Sequence, residues 1–316
     1  MKPIVREQGA LTAHYARYRA QLCQADGLLD ERLRGGRMER VSFAALSRSY
    51  DLLLLDAFGV LNRGREAIAG AGAAVERLNR AGRPWVVLSN NGSQSPERLT
   101  RQLHDLGLAV RPSEVLTSGL TVRPFIAHSP WHDLPYYLIG TDDSAAAYAP
   151  EPGRLCVNHR AGEGWRAARY ILLCSNRDYY GSLAQQRVEG LLEAQRLPVI
   201  VVNPDLVTRD ATGALSVVAG YTAAEWHERY HPPWVGLGKP FSPLYALARH
   251  RFPGIAPDRC LMVGDTLDTD ILGGAAQGMA TCLTLSGSCA GEEETIETLC
   301  IERGICPDFI VQSIAT

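Results

Sequence analysis

Little in this chain speaks for a membrane, a nucleic acid or an oxidising compartment. No C-x-x-C pair occurs among its 8 cysteines, although four of them fall after position 280, so reduced thiols that fill the core are expected rather than a zinc or dithiol site. An excess of basic charge is missing as well: Lys and Arg together number 32 against 34 Asp and Glu, giving a formal net charge of -2 and a pI near 6.5. A chain with no basic field has nothing to gather phosphate backbones or anionic lipid, which excludes nucleic acid and membrane surfaces and favours a small-molecule partner. Long apolar runs are absent. Aliphatic strings such as 52–55 and 199–202 fall far short of a membrane span, and no basic stretch followed by an apolar run opens the sequence. A cytoplasmic location is the expectation.

What is present is ample material for a core: 316 residues, 46% of them hydrophobic, exceed one average domain. Residues 1–42 read as a helical appendage, with Tyr15, Tyr18, Leu22 and Leu29 spaced for one helix face and Gly35-Gly36 as a break. Packing, or a homodimer contact through this appendage or the cap described below, is its expected role.

From Asp51 onward short apolar runs alternate with amphipathic stretches. The runs at 52–55, 85–88, 136–139, 171–174, 199–202, 261–263, 282–285 and 309–311 predict parallel strands covered on both faces. Ser95-Pro96 and Ser242-Pro243 read as helix starts, with Leu99, Leu103 and Leu106 at helical spacing ahead of Gly107. This alternation predicts an α/β fold, a doubly wound, Rossmann-like parallel sheet whose chemistry lies just beyond the carboxyl ends of its strands.

Polar residues follow four of these places. Asp56-Ala57-Phe58-Gly59 follows the first strand, Ser89-Asn90-Asn91 follows 85–88, Gly238-Lys239-Pro240 precedes a helix, and Gly264-Asp265 with Asp268 and Asp270 follows 261–263. Each alone reads as a turn residue, a helix-terminal acid or a solvated charge. In order they supply a carboxylate nucleophile, a hydroxyl and amides for phosphate oxygens, a lysine and acidic metal ligands, which is what phosphoryl transfer to an aspartate requires.

In these motifs, together with Gly64 and Asn203-Pro204-Asp205, the chain resembles the haloacid dehalogenase superfamily from about Phe43 to its end, specifically the class IIA branch typified by the N-acetylglucosamine-phosphate, pyridoxal phosphate and 4-nitrophenyl phosphatases. The resemblance implies a core of residues 43–130 and 235–316 and an inserted α/β cap of the C2 type at 131–234. It implies a magnesium-dependent hydrolase of a small phosphorylated metabolite that works through an aspartyl-phosphate intermediate. Asp56 would be the nucleophile and a magnesium ligand, Lys239 would neutralise charge on it, and Ser89, Asn90 and Asn91 would hold the phosphoryl group. Asp265, Asp270 and the backbone carbonyl of Phe58 would complete the metal site, which suits the preference of magnesium for hard oxygen ligands. Asn203 and Asp205 would face the substrate, although Asn-Pro-Asp also reads as a turn.

At one position the chain departs from that pattern. Phosphatases of the superfamily place a general-acid aspartate two residues after the nucleophile; here Phe58 stands there. Losing a positioned proton donor costs on the order of 10² to 10⁴ in rate. The expectation is a hydrolase that is weak or narrowed in range. A silent phosphometabolite-binding or regulatory protein and a dehalogenase-like hydrolase are the alternatives, the latter disfavoured because Asp265 and Asp270 keep the metal motif. In the cap, Asn176 of Ser175-Asn176-Arg177 occupies the place of a family aspartate.

Overall fold

The computed structural model describes residues 8–150, 156–158, 163–209 and 214–316. Its strands in chain order are β1 (Glu39–Arg40), β2 (Leu52–Leu55), β3 (Asn62–Arg63), β4 (Glu66–Ala67), β5 (Trp85–Ser89), β6 (Val115–Thr117), β7 (Tyr136–Ile139), β8 (Cys156–Asn158), β9 (Tyr170–Leu173), β10 (Val199–Val201), β11 (Val207–Arg209), β12 (Leu215–Val217), β13 (Trp234–Gly236), β14 (Cys260–Gly264), β15 (Ala280–Thr284) and β16 (Phe309–Val311). Seven form a parallel sheet in the order β1-β16-β15-β14-β2-β5-β6, and five form a second parallel sheet in the order β13-β10-β9-β7-β8. β3 with β4 and β11 with β12 make two short antiparallel hairpins.

The uninterrupted apolar strands are explained by helices on both faces of each sheet. On one face of the larger sheet Leu53, Leu55, Val87 and Val263 meet Ala74, Val75 and Leu78 of the helix Ala71–Arg80. Their alternates Leu52, Leu54, Val86 and Met262 meet Leu244, Tyr245 and Ala248 of the helix Ser242–Arg251. The smaller sheet repeats the arrangement, with Tyr137, Ile171 and Val199 against Val188, Leu192 and Trp226, and Leu138, Leu172 and Ile200 against Val122, Ile126 and Tyr148.

The helix start at Ser95 holds, for its side chain accepts from the Arg98 amide and Pro96 opens the helix Pro96–Asp105. Ser242 differs. It is already helical, and Phe241 in an extended conformation precedes it, so the serine does not cap. Strands β1, β6, β8 and β13 carry no run long enough to stand out in the sequence, being two or three residues each.

The N-terminal residues form two helices, α1 (Gln8–Ala25) and α2 (Leu29–Arg34). Tyr15 and Tyr18 are buried as their spacing predicts, but the chain turns after Ala25, so Leu29 opens α2 instead of continuing the same face. Leu11, Tyr15, Tyr18, Leu29 and Leu33 share one apolar cluster with Leu206, Phe241, Ile271 and Ile296. Among the described residues no helix is long and apolar enough to cross a membrane.

Candidate active site

The larger sheet reverses its winding between β2 and β14: the chain proceeds from β2 outward to β5 and β6, then returns to lay β14, β15 and β16 on the other side. At such a switch point the loops beyond the carboxyl ends diverge and leave a crevice. Asp56 leaves β2 there and Asp265 leaves β14, on adjacent strands.

A cleft of about 800 Å³ opens over these loops. At its floor Lys239, only 2% exposed, places its ammonium 2.7 Å from Oδ1 of Asp56 and 2.7 Å from Oδ1 of Asp270. One carboxylate oxygen from each of Asp56, Asp265 and Asp270 lies within 4.8 Å of the others. Two carboxylates contact the one ammonium and a third stands beside them, so that with all three ionised the cluster carries an excess of two negative charges.

Each carboxylate is fixed by its own partners. Asp270 Oδ2 accepts from the amides of Asp265 and Thr266, both at 3.1 Å, closing a turn at the head of the helix that follows. Asp265 Oδ2 accepts from the Ser288 amide at 2.6 Å and the Ser288 hydroxyl at 2.8 Å, while Oδ1 accepts from Thr266 Oγ1 at 3.0 Å. Gly59, at φ +79, passes so close to the Asp265 carboxylate that a Cβ there would collide with it. Only glycine meets both demands.

Burial governs the titration of this cluster. It pushes Asp56 well above the ordinary carboxylate range, with Lys239 pulling down and Asp270 and Asp265 pushing further up. Asp265 is raised to about 6 by burial and by its neighbour Asp270, against the hydrogen bonds from Ser288 and Thr266. Burial alone would lower Lys239, yet Asp270 and Asp56 more than reverse it and hold the ammonium charged. Lys239 is one of only two lysines among the 32 basic residues, the other being Lys2. Arginine, the chain's habitual cation, has a planar fork too large for a point between two carboxylates.

Ser89, Asn90, Asn91, Asn203 and Asp205 also line the cleft. Asn90 is not free to meet a ligand with its amide: it donates to Asp205 Oδ1 at 2.8 Å and to the Lys239 carbonyl at 3.0 Å, and accepts from the Lys239 amide at 2.6 Å. Asn91 Oδ1 accepts from the Ser93 amide and hydroxyl, and Asn203 Oδ1 from the Asp205 amide at 2.9 Å, the Asx turn that the sequence allows. Burial raises Asp205 to about 6, with Lys239 opposing. Phe58 lines the cleft, half-buried, beside the β3–β4 hairpin, whose Gly64 also faces it. Asn176 does not line the cleft. It is buried and donates to the Val217 carbonyl and Thr222 Oγ1, whereas its neighbour Arg177 reaches the opening.

Several cleft residues carried no signal in the sequence. Ser288 follows β15 in a loop without a strand-end motif, and Arg303 sits in the helix Ile296–Arg303, paired with Asp268 at 2.8 Å. Leu11 and Tyr15 enter from α1.

A family model of haloacid dehalogenase-like hydrolases matches residues 53–150, and a second, for HAD hydrolase-like proteins, matches 236–316. The chain is 32% identical to the glycerol-3-phosphate phosphatase of Gallus gallus over 302 residues, covering 88% of this chain and 94% of that one. The chain belongs to the haloacid dehalogenase-like hydrolases. Human chronophin, another relative, is 30% identical over 90% of the chain and 96% of its own length. Among solved structures, a possible sugar phosphatase of the HAD superfamily from Cytophaga hutchinsonii superposes with a TM-score of 0.78 at 27% identity, over 88% of this chain and 99% of that one. This haloacid dehalogenase-like hydrolase is thus of the phosphatase type, with the parallel-sheet core of its relatives.

Proposed function

We propose that the chain hydrolyses a small phosphate monoester by way of a phosphoryl group carried on Asp56, with residues 43–130 and 235–316 as the catalytic core and 131–234 as its cap. The observation that carries this reading is the buried cluster of Asp56, Asp265 and Asp270 around Lys239 at the sheet's switch point. Burial raises Asp56, whereas Lys239 and a bound cation both favour its ionised form, the form that can attack phosphorus.

The cluster fits magnesium on two counts. Its donors are hard carboxylate oxygens, and its excess of two negative charges in a buried site matches a divalent cation. Asp56, Asp265 and Asp270 would hold the ion, joined by the Phe58 carbonyl that the family pattern implies. Bound there, it supplies charge to balance the phosphoryl oxygens. Lys239 holds Asp56 in place and shares that charge, and Ser89 with the Asn91 amide receives the remaining oxygens. In the first step an Asp56 oxygen bonds to phosphorus and the bond to the leaving oxygen breaks, its electron pair going with the leaving group. In the second, water bonds to phosphorus, its proton passes to solvent, and the Asp56 carboxylate is released.

Phe58 offers the leaving oxygen no proton. The reading therefore commits the enzyme to leaving groups stable as anions. Nitrophenyl phosphate should be turned over far faster than an alkyl phosphate, and Phe58→Asp should raise the alkyl rate by roughly one to three powers of ten, the scale of an added general acid. Asp56→Asn should eliminate both activities. Magnesium-dependent turnover of neither ester by the parent protein would sink the proposal and favour a binding protein; halide release from a haloacid in chelator would favour a dehalogenase.

A further inference from the structure

α1 touches two of the parts that bound the cleft and a helix beside them. The Tyr18 hydroxyl donates to the Pro204 carbonyl at 2.9 Å, and the Leu206 amide donates to the Tyr15 hydroxyl at 3.2 Å, so two tyrosines grip the 203–206 loop that carries Asp205. Arg17 pairs with Glu228 at 2.9 Å, on the helix Ala219–Tyr230 behind the smaller sheet. Arg19 donates to the Arg303 carbonyl at 2.6 Å, while the Arg303 side chain holds Asp268 at the cleft. Tyr18 also stacks edge-on against Phe241, ring centres 5.2 Å apart, two residues beyond Lys239. An element held at this many points is a fixed wall.

That wall presents carbon to the substrate. Leu11 and Tyr15, both buried, line the same cleft as Phe58, Val207 and Val218, whereas the carboxylates and Lys239 gather at the strand ends. We propose that α1 completes the substrate chamber and that Leu11 and the ring of Tyr15 are specificity-determining residues, selecting a phosphate ester with a flat, apolar leaving group over a polyol and limiting its size. The inference rests on the phosphatase reading, and it meets the requirement set by Phe58, since aryl and enol oxygens leave as anions without a donated proton. Tyr15 and Tyr18 are in addition positioning residues: through the 203–206 loop they hold Asp205 against Asn90, and Asn90 holds the Lys239 backbone.

The test compares a one-ring and a two-ring ester, nitrophenyl phosphate and naphthyl phosphate, on the parent, Leu11→Ala and Tyr15→Phe. The matching phenyl- and naphthylphosphonates, which cannot be hydrolysed, are titrated by calorimetry on the same proteins. Leu11→Ala should raise the preference for the two-ring compound by roughly tenfold, in kcat/KM and in phosphonate affinity alike, whereas a change below about twofold in both would overturn the assignment; tenfold is the low end for removing apolar bulk from a pocket. Tyr15→Phe keeps the ring and removes the acceptor, so it should leave that preference unaltered and speed hydrogen exchange at the Leu206 amide; unchanged exchange there refutes the positioning role. Should Leu11→Ala not fold, Leu11→Val makes the same comparison with a smaller change. A parent protein that binds the phosphonates with the expected preference but turns over neither ester would refute the phosphatase reading alone.

Discussion

Acidification should stabilise the metal-free protein while abolishing the stabilisation that magnesium provides, and Asp265 should account for much of both effects. In the folded chain its carboxyl stands at about 6, against 3.8 for a free side chain, because it is buried beside Asp270. Between roughly pH 4 and 6 the unfolded chain has already released this proton and the folded chain has not. Stability from this group is therefore complete below about pH 4, falls as pH rises, and levels off above about 6. A gap of about two pH units corresponds to about 3 kcal/mol at 1.36 kcal/mol per unit. A cation needs the ionised carboxylate, so the rise in melting temperature on adding magnesium should be full near pH 7.5 and vanish near pH 5. Thermal unfolding of the parent and of Asp265→Asn, each with chelator and with magnesium, reads this group together with the neighbours whose carboxyls it raises. The difference between the two proteins in chelator should change by about 3 kcal/mol across that window. If magnesium raises the parent's melting temperature equally at both pH values, or if Asp265→Asn retains the parent's pH profile, the assignment of Asp265 to the metal cluster is wrong.

Lys239→Met should destabilise the metal-free protein by about 3–5 kcal/mol, since it strands Asp56 and Asp270 in a buried site without their counter-charge. Urea unfolding in chelator measures this, and a loss below about 1 kcal/mol would show that the ammonium is not what holds the cluster together. Gly59→Ala should lower magnesium affinity and turnover together, because the new Cβ must displace the Asp265 carboxylate and adopt an unfavourable positive φ. Calorimetry with magnesium on a folded Gly59→Ala protein gives the answer, and parental affinity would contradict the contact.

The larger sheet was legible because its central strands are buried on both faces and so must be apolar without alternation, as at Leu52–Leu55. Edge strands escape that constraint. Glu39–Arg40 is exposed on both residues and pairs with β16 through backbone alone, which no side-chain pattern announces. The catalytic candidates at strand ends were readable for a similar reason: Asp56 and Asp265 follow directly on strands and Ser89 ends one, so locating the strand locates the residue. Residues brought in by tertiary packing had no such marker. Ser288 belongs to a loop, Arg303 to the last turn of a helix and Tyr15 to a helix nearly 200 positions from the Leu206 amide it receives. The tyrosine spacing in α1 revealed a buried face but not what that face meets. Lysine usage held a further signal, since a chain that writes nearly all its cations as arginine and retains a lysine at 239 marks a place where the guanidinium does not serve.

The Asn90 side chain joins segments 115 and 149 residues away. Such closures are the slow part of assembly, because distant contacts are rewarded only after the intervening chain has been ordered. Asn90 follows a strand of the larger sheet, whereas Asp205 and Lys239 both follow strands of the smaller one. The Asn90 to Asp205 bond can therefore close only once both sheets exist and have docked. In a refolding experiment backbone ellipticity should recover first, and protection of the Lys239 amide, which donates to Asn90, should lag behind it.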